Sequence, residues 1–386
     1  MKLYEFEAKE VFKERGIQIP KGVVAKTPYE AKKIAESIGK PVAIKAQVLT
    51  GRRGRAGLIK FSKDPKEVEN IASNLLTSQL SGSRVASLLI EEKMDIAKEL
   101  YVSITIDGAE RKIVLITSLE GGMELEEIAV KFPEKIIKEY VDILIGLQGF
   151  QIRKLIKKMG IRDQEALTLI RILESLYNVF IENDATLAEI NPLVITKEGL
   201  VVAVDARLNI DEFVLHRHPK YKAIFEERKN ILLDSELREW KAAKSGIGAY
   251  VELEGDIGVM SNGASLGMET IDLVSDLGGK LACFCDIGGM LTVEVVENSM
   301  DLVLSNPRVQ VLLLNILGGL VQCDVIAEGI VNCIKRQRLK LPIIVRLSGT
   351  LEDEGRNILR SVGIEAYDSV FEATKKTIEK IREIKK

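Results

Sequence analysis

The last third of the chain repeats one pattern, in which a short apolar run is followed by a glycine-containing turn and an amphipathic stretch. The apolar runs lie at residues 257–260, 281–285, 309–314 and 343–346. Helical periodicity follows the first three and ends near residues 277, 305 and 337, and two further helices close the chain. Strands that are apolar throughout and alternate with helices are typical of a parallel sheet covered on both faces. We therefore predict a doubly wound parallel sheet, in which ligands bind at the carboxyl ends of the strands.

Residues 1–238 follow a less regular pattern of helices and strands. Helices are predicted at residues 4–15, 28–38, 64–75 and 163–180, and a helical stretch with breaks is predicted at 135–159. Strands are predicted at residues 41–46, 86–91, 99–107 and 112–119. A highly charged, helical linking segment is expected at 211–244. The change of pattern predicts two domains, residues 1–238 and residues 239–386.

A β-hairpin is predicted at the end of the first domain. Residues 193–196 and 200–204 are apolar and rich in β-branched side chains, and they are separated by a three-residue loop that ends in Gly199. Glycine at the third loop position suits the left-handed conformation that such hairpins need. The hairpin should therefore fold about Glu198, give or take the one-residue shift that a bulge would cause.

One face of this hairpin collects polar side chains. Folding about Glu198 brings Asn191 opposite Asp205, and Glu189 and Arg207 lie two residues away on the same face. Carboxylate and amide oxygens suit Mg²⁺ with one or two protein ligands and the rest from phosphate and water. From the hairpin alone, solvent-facing polar positions remain the simpler interpretation.

A loop at residues 50–57 combines three glycines with three arginines between two apolar strands. Glycines let backbone N–H groups approach an anion, and guanidinium groups bind phosphate oxygens in pairs. Lys45, at the end of the preceding strand, would present its ammonium to the same space. The loop lacks the Gly-Lys-Ser/Thr of a Walker-type site, and by itself it is more typical of a solvated hairpin.

Composition narrows the classes of function. The chain has 386 residues, is 46% hydrophobic and carries a formal net charge of −2, with acidic and basic residues interspersed. This charge gives no reason to expect binding to nucleic acid or to an anionic membrane, and no apolar run is long enough to span a bilayer. The charged N-terminal residues do not resemble a signal peptide. Four cysteines without a paired pattern indicate reduced thiols, so a cytoplasmic protein is expected.

Six segments in order resemble the succinyl-CoA synthetase β-subunit family, whose members are parts of succinate–CoA ligases. The segments are residues 4–9, 51–57, 95–100, 189–193, 262–264 and 315–321. The resemblance extends nearly from end to end. It implies an N-terminal ATP-grasp domain followed by a flavodoxin-like CoA-ligase domain.

The resemblance also assigns roles to individual residues. It implies that Glu189 meets a phosphohistidine and that Asn191 and Asp205 bind Mg²⁺. Implied contacts with the nucleotide, ATP/ADP or GTP/GDP, come from Lys45, Arg52, Arg53, Gly54, Glu91, Met94 and Glu99. The carboxylate of the organic acid is implied to bind at Asn262, Gly319, Leu320 and Val321. The chain departs from the family's usual residues at Arg52, at Met290 and Leu291, and at Gln322, which affects substrate preference more than reaction type.

The only histidines are His216 and His218, in the charged segment, and neither lies in a glycine turn that could present an imidazole to two sites. The resemblance therefore places the phosphorylated histidine and most of the CoA site on a partner α subunit, in an αβ dimer or an α2β2 tetramer. The apolar turn at 318–321 has no group to bind a substrate hydroxyl, which favours succinate over malate or citrate. The expected activity is that of a succinate–CoA ligase, ADP-forming rather than GDP-forming. Alternatives are a malate or citrate ligase subunit, an ATP-grasp carboxylate–amine ligase and a non-catalytic nucleotide sensor.

Overall fold

A computed structural model describes residues 1–49, 53–80, 83–228, 237–239, 241–242, 245–289 and 291–385. Of the residues singled out above, Arg52 and Met290 lie outside these ranges. The chain divides into two compact units, Met1–Ile231 and Leu232–Lys386. The boundary predicted between residues 238 and 239 stays a prediction.

The first unit consists of three antiparallel sheets and the helices that cover them. Its strands are β1 (Gly22–Ala25), β2 (Val42–Gln47), β3 (Ile59–Ser62), β4 (Gln79–Leu80), β5 (Ser83–Arg84), β6 (Ser87–Glu92), β7 (Ile96–Asp107), β8 (Lys112–Ser118), β9 (Ile137–Val141), β10 (Ala185–Thr196), β11 (Val201–Ala203) and β12 (Arg207–Ile210). Its α-helices are α1 (Glu5–Glu14), α2 (Pro28–Ile38), α3 (Pro65–Leu76), α4 (Leu125–Lys131), α5 (Gly149–Lys158), α6 (Asp163–Glu182) and α7 (Pro219–Glu227).

The smaller main sheet has the order β1-β6-β2-β3, and α2 and α3 pack on it through a core that includes Ala31, Val68 and Ile44. Both helices have strong start signals. The side chains of Thr27 and Asp64 accept hydrogen bonds from backbone N–H groups of the first turns, and a proline follows each cap. The larger sheet has the order β11-β10-β7-β8-β9, with β12 also paired to β10. Helices α1, α5 and α6 contribute to its core.

Two predictions for the first unit are corrected. Residues 137–141 form β9 and not a helix, because β8 provides an edge with which they pair, and Val141 joins the core. Strand β7 begins at Ile96, so Glu99 lies within it, opposite Val194, and does not open it. The described part of the charged segment is helical as predicted, with a 3₁₀ helix, Glu212–Arg217, then α7, and further α-helical residues at 237–239 and 241–242.

The second unit contains one six-stranded sheet with helices on both faces. Its strands are β13 (Ala249–Glu252), β14 (Ile257–Ser261), β15 (Leu281–Asp286), β16 (Val311–Gly318), β17 (Ile343–Gly349) and β18 (Ala366–Tyr367). Its α-helices are α8 (Ala264–Asp276), α9 (Val293–Leu304), α10 (Cys323–Gln337), α11 (Glu352–Arg360) and α12 (Val370–Ile384).

The order of this sheet is β13-β15-β14-β16-β17-β18, and all pairs except that of β13 with β15 are parallel. From β15 onward this is the 2-1-3-4-5 order of flavodoxin-like folds. One core forms with α9, α10 and α11, and another forms on the opposite face with α8 and α12. The predicted doubly wound parallel sheet is confirmed. Among the described residues, no helix has both the length and the apolar character needed to cross a membrane.

Candidate functional site

The predicted hairpin is present with the predicted register. Leu193 pairs with Ala203, and Glu189 pairs with Arg207, so the two arms fold about Glu198 without a shift in register between them. Gly199 has a φ of +79°, and its N–H donates to the carbonyl of Thr196. Local turn chemistry and alternation therefore suffice to bring Asn191 opposite Asp205.

The polar face of the hairpin lines a cleft of about 610 Å³ in the first unit. Its walls include the four hairpin side chains and part of the glycine- and arginine-containing loop. These residues are Arg53, Gly54, Glu189, Asn191, Asp205 and Arg207. The cleft lies between a hairpin of the larger sheet and the loop that connects β2 and β3 of the smaller sheet.

Glu189 lies in the cleft between a hydroxyl and a guanidinium. The hydroxyl of Tyr101 donates to its Oε2 at 2.8 Å, and Nη1 of Arg207 lies 3.3 Å from its Oε1. Burial raises the pKa of Glu189, and the charges of Glu124 and Asp205 add to this, while Arg207 and Tyr101 oppose it. The site therefore presents a carboxyl group whose proton affinity is above the ordinary value.

Asn191 is held by the backbone of the loop before α4. Its Oδ1 accepts from the N–H of Gly122 at 2.8 Å, and its Nδ2 donates to the carbonyl of Met123 at 2.8 Å. Gly122 has a φ of +74°, and a Cβ there would lie 2.6 Å from Oε2 of Glu99. The left-handed φ favours glycine at this position, and the N–H of Gly122 fixes the orientation of the Asn191 amide.

A buried cluster of alternating charges lies beside the cleft. Lys45 is only 3% exposed, and its ammonium contacts Oε1 of Glu5 at 2.9 Å and Oε1 of Glu91 at 2.6 Å, and it also donates to the carbonyl of Val204 at 2.6 Å. Lys9 contacts both carboxylates as well, at 2.8 Å and 2.6 Å. All three ammonium protons of Lys45 thus have acceptors within the protein.

Arg53 connects this cluster to the cleft. Its Nη1 contacts Oε2 of Glu5 at 2.6 Å, and its Nη2 contacts Oδ1 of Asp205 at 2.7 Å. Burial would lower the pKa of Arg53, but the charges of Asp205 and Glu5 outweigh burial and raise it. One guanidinium therefore spans a fully buried carboxylate and a carboxylate that faces the cleft.

The structure brings together only part of the predicted nucleotide set. Arg53 and Gly54 line the cleft, whereas among the described residues Lys45, Glu91, Met94 and Glu99 are not part of its wall. Glu91 is 1% exposed and is held by Lys9 and Lys45, while Met94 and Glu99 are half-buried, and burial raises the pKa of Glu99. Arg52 lies outside the described residues.

Sequence reasoning missed three residues next to the site, namely Glu5, Lys9 and Tyr101. The signal that could have identified the first two is their i, i+4 spacing on the otherwise apolar face of α1, where their charges need a partner. Tyr101 lies in β7, and its contact with Glu189 follows from the pairing of β7 with β10.

In the second unit, Asn262 holds the end of β16. Its Oδ1 accepts from the N–H of Leu317 at 2.8 Å, and its Nδ2 donates to the carbonyl of the same residue at 2.7 Å. The side chain of Leu320 is 93% exposed, and Val321 is buried. Helix α10 begins at Cys323, after both of them, and the N–H of Cys323 donates to the carbonyl of Thr350.

Asp286 connects two turns at the carboxyl ends of the strands. Its Oδ1 accepts hydrogen bonds from the N–H groups of Gly263 and Gly288, each at 2.9 Å. The turns after β14 and β15 are therefore fixed to each other. Asn262, Gly319, Leu320 and Val321 all lie at the carboxyl ends of parallel strands, where open α/β sheets bind ligands.

The side chains of both histidines contact other residues of the first unit. Nε2 of His218 lies 2.7 Å from Oδ2 of Asp184, and Nδ1 of His216 lies 3.1 Å from the carbonyl of Phe213. Both belong to the segment between β12 and α7, and neither lines the cleft.

Comparison with known proteins identifies both parts of the chain. The ATP-grasp domain model matches residues 2–195, and the CoA-ligase model matches residues 260–379. The succinate–CoA ligase (ADP-forming) subunit beta of Staphylothermus marinus is 42% identical over 98% of this chain and 98% of its own length. The protein of the same name from Geobacillus kaustophilus is 42% identical over 99% of this chain and its full length.

Among solved structures, the ATP citrate lyase of Methanothrix soehngenii, determined with citrate and coenzyme A, superposes with a TM-score of 0.74 over 98% of this chain and 99% of its own. Its sequence is 18% identical, so this likeness concerns the fold alone. The ATP-grasp and CoA-ligase order is the order expected from the sequence. On the identity over nearly its whole length, the chain belongs to the family of succinate–CoA ligase (ADP-forming) β subunits.

Proposed function

We propose that this chain is the nucleotide-binding β subunit of an ADP-forming succinate–CoA ligase. With a partner α subunit it would interconvert succinyl-CoA, nucleoside diphosphate and phosphate with succinate, CoA and nucleoside triphosphate. The observation that carries the proposal is that Glu189, Asn191 and Asp205 line one cleft together with Arg53 and Gly54.

The phosphates of the nucleotide would bind at the loop that contains Arg53 and Gly54. A guanidinium can give two parallel hydrogen bonds to phosphate oxygens, and a glycine lets the chain approach them closely. Lys45 can reach a phosphate only by exchanging one of its three present acceptors. Arg52 is proposed for the same end of the nucleotide, and Glu91, Met94 and Glu99 for its base and ribose.

The residues present fit a magnesium ion held jointly with phosphate. Asn191 and Asp205 offer hard oxygen atoms to the same cleft. Within the described ranges, no group of three or more His, Cys, Asp or Glu side chains is arranged to hold a metal by itself. Mg²⁺ is commonly bound by one or two protein oxygens with phosphate and water completing its shell, and it would supply charge neutralisation at the transferred phosphoryl group.

Glu189 would face the histidine of the partner subunit that carries the phosphoryl group. A carboxylate beside an imidazole fixes the tautomer of the ring and stabilises its protonated form. Tyr101 and Arg207 would keep this carboxylate in place on two sides. The second unit would bind the carboxylate of succinate at Gly319, Leu320 and Val321, next to Asn262.

The partner subunit would contribute most of the CoA site, in an αβ dimer or an α2β2 tetramer. The four cysteines are free and buried thiols, which supports the proposed location in the cytoplasm.

The test is to produce the chain together with its α subunit and to measure nucleotide turnover that depends on both CoA and succinate. Malate and citrate replace succinate in parallel assays, and GTP replaces ATP. Conversion of ATP to ADP and phosphate that requires succinate and CoA supports the proposal. Turnover only with another acid would change the substrate, and nucleotide turnover that depends on an amine and not on CoA would overturn the proposal.

A further inference from the structure

The contact between Arg53 and Asp205 places a positive charge on the carboxylate that is proposed to bind the metal ion. Oδ1 of Asp205 accepts from Nη2 of Arg53 at 2.7 Å and from the N–H of Ala206 at 2.8 Å. The Asp205 side chain is 28% exposed to the cleft, and the Arg53 side chain is 10% exposed. A divalent cation that approached Asp205 from the cleft would therefore meet a carboxylate that already has a cationic partner.

Arg53 has a reason to remain next to this carboxylate. Nη1 of its guanidinium contacts the carboxylate of Glu5, which is fully buried and also contacts Lys9 and Lys45. Lys9, Lys45 and Arg53 balance the three carboxylates of Glu5, Glu91 and Asp205. Removing one partner from a buried group of this kind is costly, whereas exchanging it for another charge of the same sign is not.

A nucleotide phosphate chain and a divalent cation would make such an exchange possible. The cation would take the place of the guanidinium at Asp205, and the phosphate would take the place of Asp205 at the Nη2 arm of Arg53. Neither ligand alone completes both contacts. A cation alone displaces the guanidinium without giving it a new acceptor, and a phosphate alone leaves Asp205 without a cation.

We propose that Arg53 competes with the divalent cation for Asp205, so that metal and nucleotide bind together and the bare metal is kept out of the site. This rests on the function proposed above. Glu5 acts as a positioning residue in this exchange, because it holds the Nη1 arm of Arg53 while the Nη2 arm changes partner.

The test measures the binding of Mn²⁺ alone to the full chain, by calorimetry or by electron paramagnetic resonance. Arg53→Gln frees Asp205, and we expect Mn²⁺ alone to bind roughly tenfold more tightly than to the wild type. The affinity for Mn²⁺ together with ADP should fall in the same variant, because a phosphate contact is lost. These opposite signs would not result from the loss of a phosphate contact alone.

Three further variants separate release of Asp205 from a change in local charge or in folding. Arg55→Gln removes a positive charge from the same loop, where Arg55 contacts Glu127 and not Asp205, and it should change Mn²⁺ affinity little. Glu5→Gln combined with Arg53→Gln keeps the cluster balanced and should bind Mn²⁺ as tightly as Arg53→Gln. Asp205→Asn added to Arg53→Gln should remove the gain.

Equal Mn²⁺ affinity in the wild type, in Arg53→Gln and in Glu5→Gln with Arg53→Gln would overturn the proposal, as would an equal gain in Arg55→Gln. A thermal unfolding curve confirms that each variant is folded before binding is measured. The proposed function is tested separately by the wild type, since a wild type that binds no ADP with Mg²⁺ would refute that function whatever Mn²⁺ does.

Discussion

The pKa values of two buried carboxyl groups near the cleft are shifted in opposite directions because their neighbours differ. Burial raises the pKa of Glu5, but the ammonium groups of Lys45 and Lys9 and the guanidinium of Arg53 outweigh it, so that the pKa lies well below its ordinary value. For Glu189 the opposing cation is Arg207, and burial leaves its pKa raised. The first is a fixed negative charge that holds three cations in place, and the second is a group suited to interact with a proton.

The depressed pKa of Glu5 predicts how acid affects stability. The unfolded chain takes up a proton at Glu5 near the ordinary value of about 4.3, whereas the folded chain does so only at lower pH. The stabilisation is therefore complete above that value and is lost as the pH falls through the folded pKa. Glu5→Gln should lower the free energy of unfolding at pH 7 by about 3–5 kcal/mol and reduce its dependence on pH below about pH 5.

Urea unfolding at pH 7 and pH 4 measures both effects for Glu5→Gln. The matched control is Glu10→Gln on the same helix, because the side chain of Glu10 is exposed and should contribute little. If Glu5→Gln and Glu10→Gln have the same unfolding midpoints at both pH values, the buried cluster does not stabilise the fold as argued.

Asp205→Asn should remove magnesium-dependent phosphoryl transfer while leaving the fold intact. The substitution keeps the size of the side chain but removes the negative charge that a metal and Arg53 both need. A metal contributes several kcal/mol to such a transition state, so a fall in kcat of at least about a hundredfold is expected. Asp95→Asn, at an exposed carboxylate that contacts Lys197, serves as the control. Near-normal kcat in Asp205→Asn would refute the metal assignment.

At the scale of the element, the hairpin of β10 with β11 and β12 was predictable because all of its determinants are local. Alternation defines the two faces, and Gly199 defines the turn, so the pairing of Glu189 with Arg207 follows within a few residues. The surroundings of Lys45 were not predictable in this way. Its partners Glu5 and Glu91 come from α1 and β6, and no local pattern indicates which charges a fold will bring together.

The limits of local patterns also explain the errors in element assignment. Residues 137–141 alternate in burial only because β8 provides an edge to pair with, and the same residues are compatible with a broken helix when considered alone. Strand β7 extends back to Ile96 because β10 continues alongside it to Thr196. Tertiary pairing decides such cases.

The turn of the hairpin gives a prediction at this scale. Gly199→Ala should lower the free energy of unfolding by about 1–2 kcal/mol, because the left-handed backbone is unfavourable for a residue with a Cβ. A Cβ built at Gly199 meets no atom within 4 Å beyond the adjacent residues, so the cost comes from the backbone conformation. Urea unfolding measures it, with Gly108→Ala as the control at an open position without a left-handed φ. Equal stabilities of the two variants would show that the turn tolerates a side chain.

At the scale of the whole molecule, the chain combines two units with different chemistry. The first unit contains the cleft with Glu189 and Arg53, and the second contains the strand-end turns around Asn262 and Leu320. The full sequence has two histidines, and both lie in the first unit, away from the walls of its cleft. The proposed reaction needs an imidazole that receives a phosphoryl group, so the composition of the whole chain points to a second polypeptide.

Replacing both His216 and His218 with Gln should therefore leave phosphoenzyme formation intact in the complex with the α subunit. His218 contacts Asp184, just before β10, and His216 contacts the carbonyl of Phe213, in the segment that follows β12. Their loss should lower stability only modestly, and a thermal unfolding curve of the complex monitors this effect.

The complex is incubated with radiolabelled ATP, its chains are separated, and the acid-labile phosphate on each is counted. We expect the label on the α subunit in equal amounts for the wild type and the double variant. Acid-labile label on this chain that disappears in the double variant would show that the imidazole belongs to the β subunit, and the two-subunit division of the reaction would have to be abandoned.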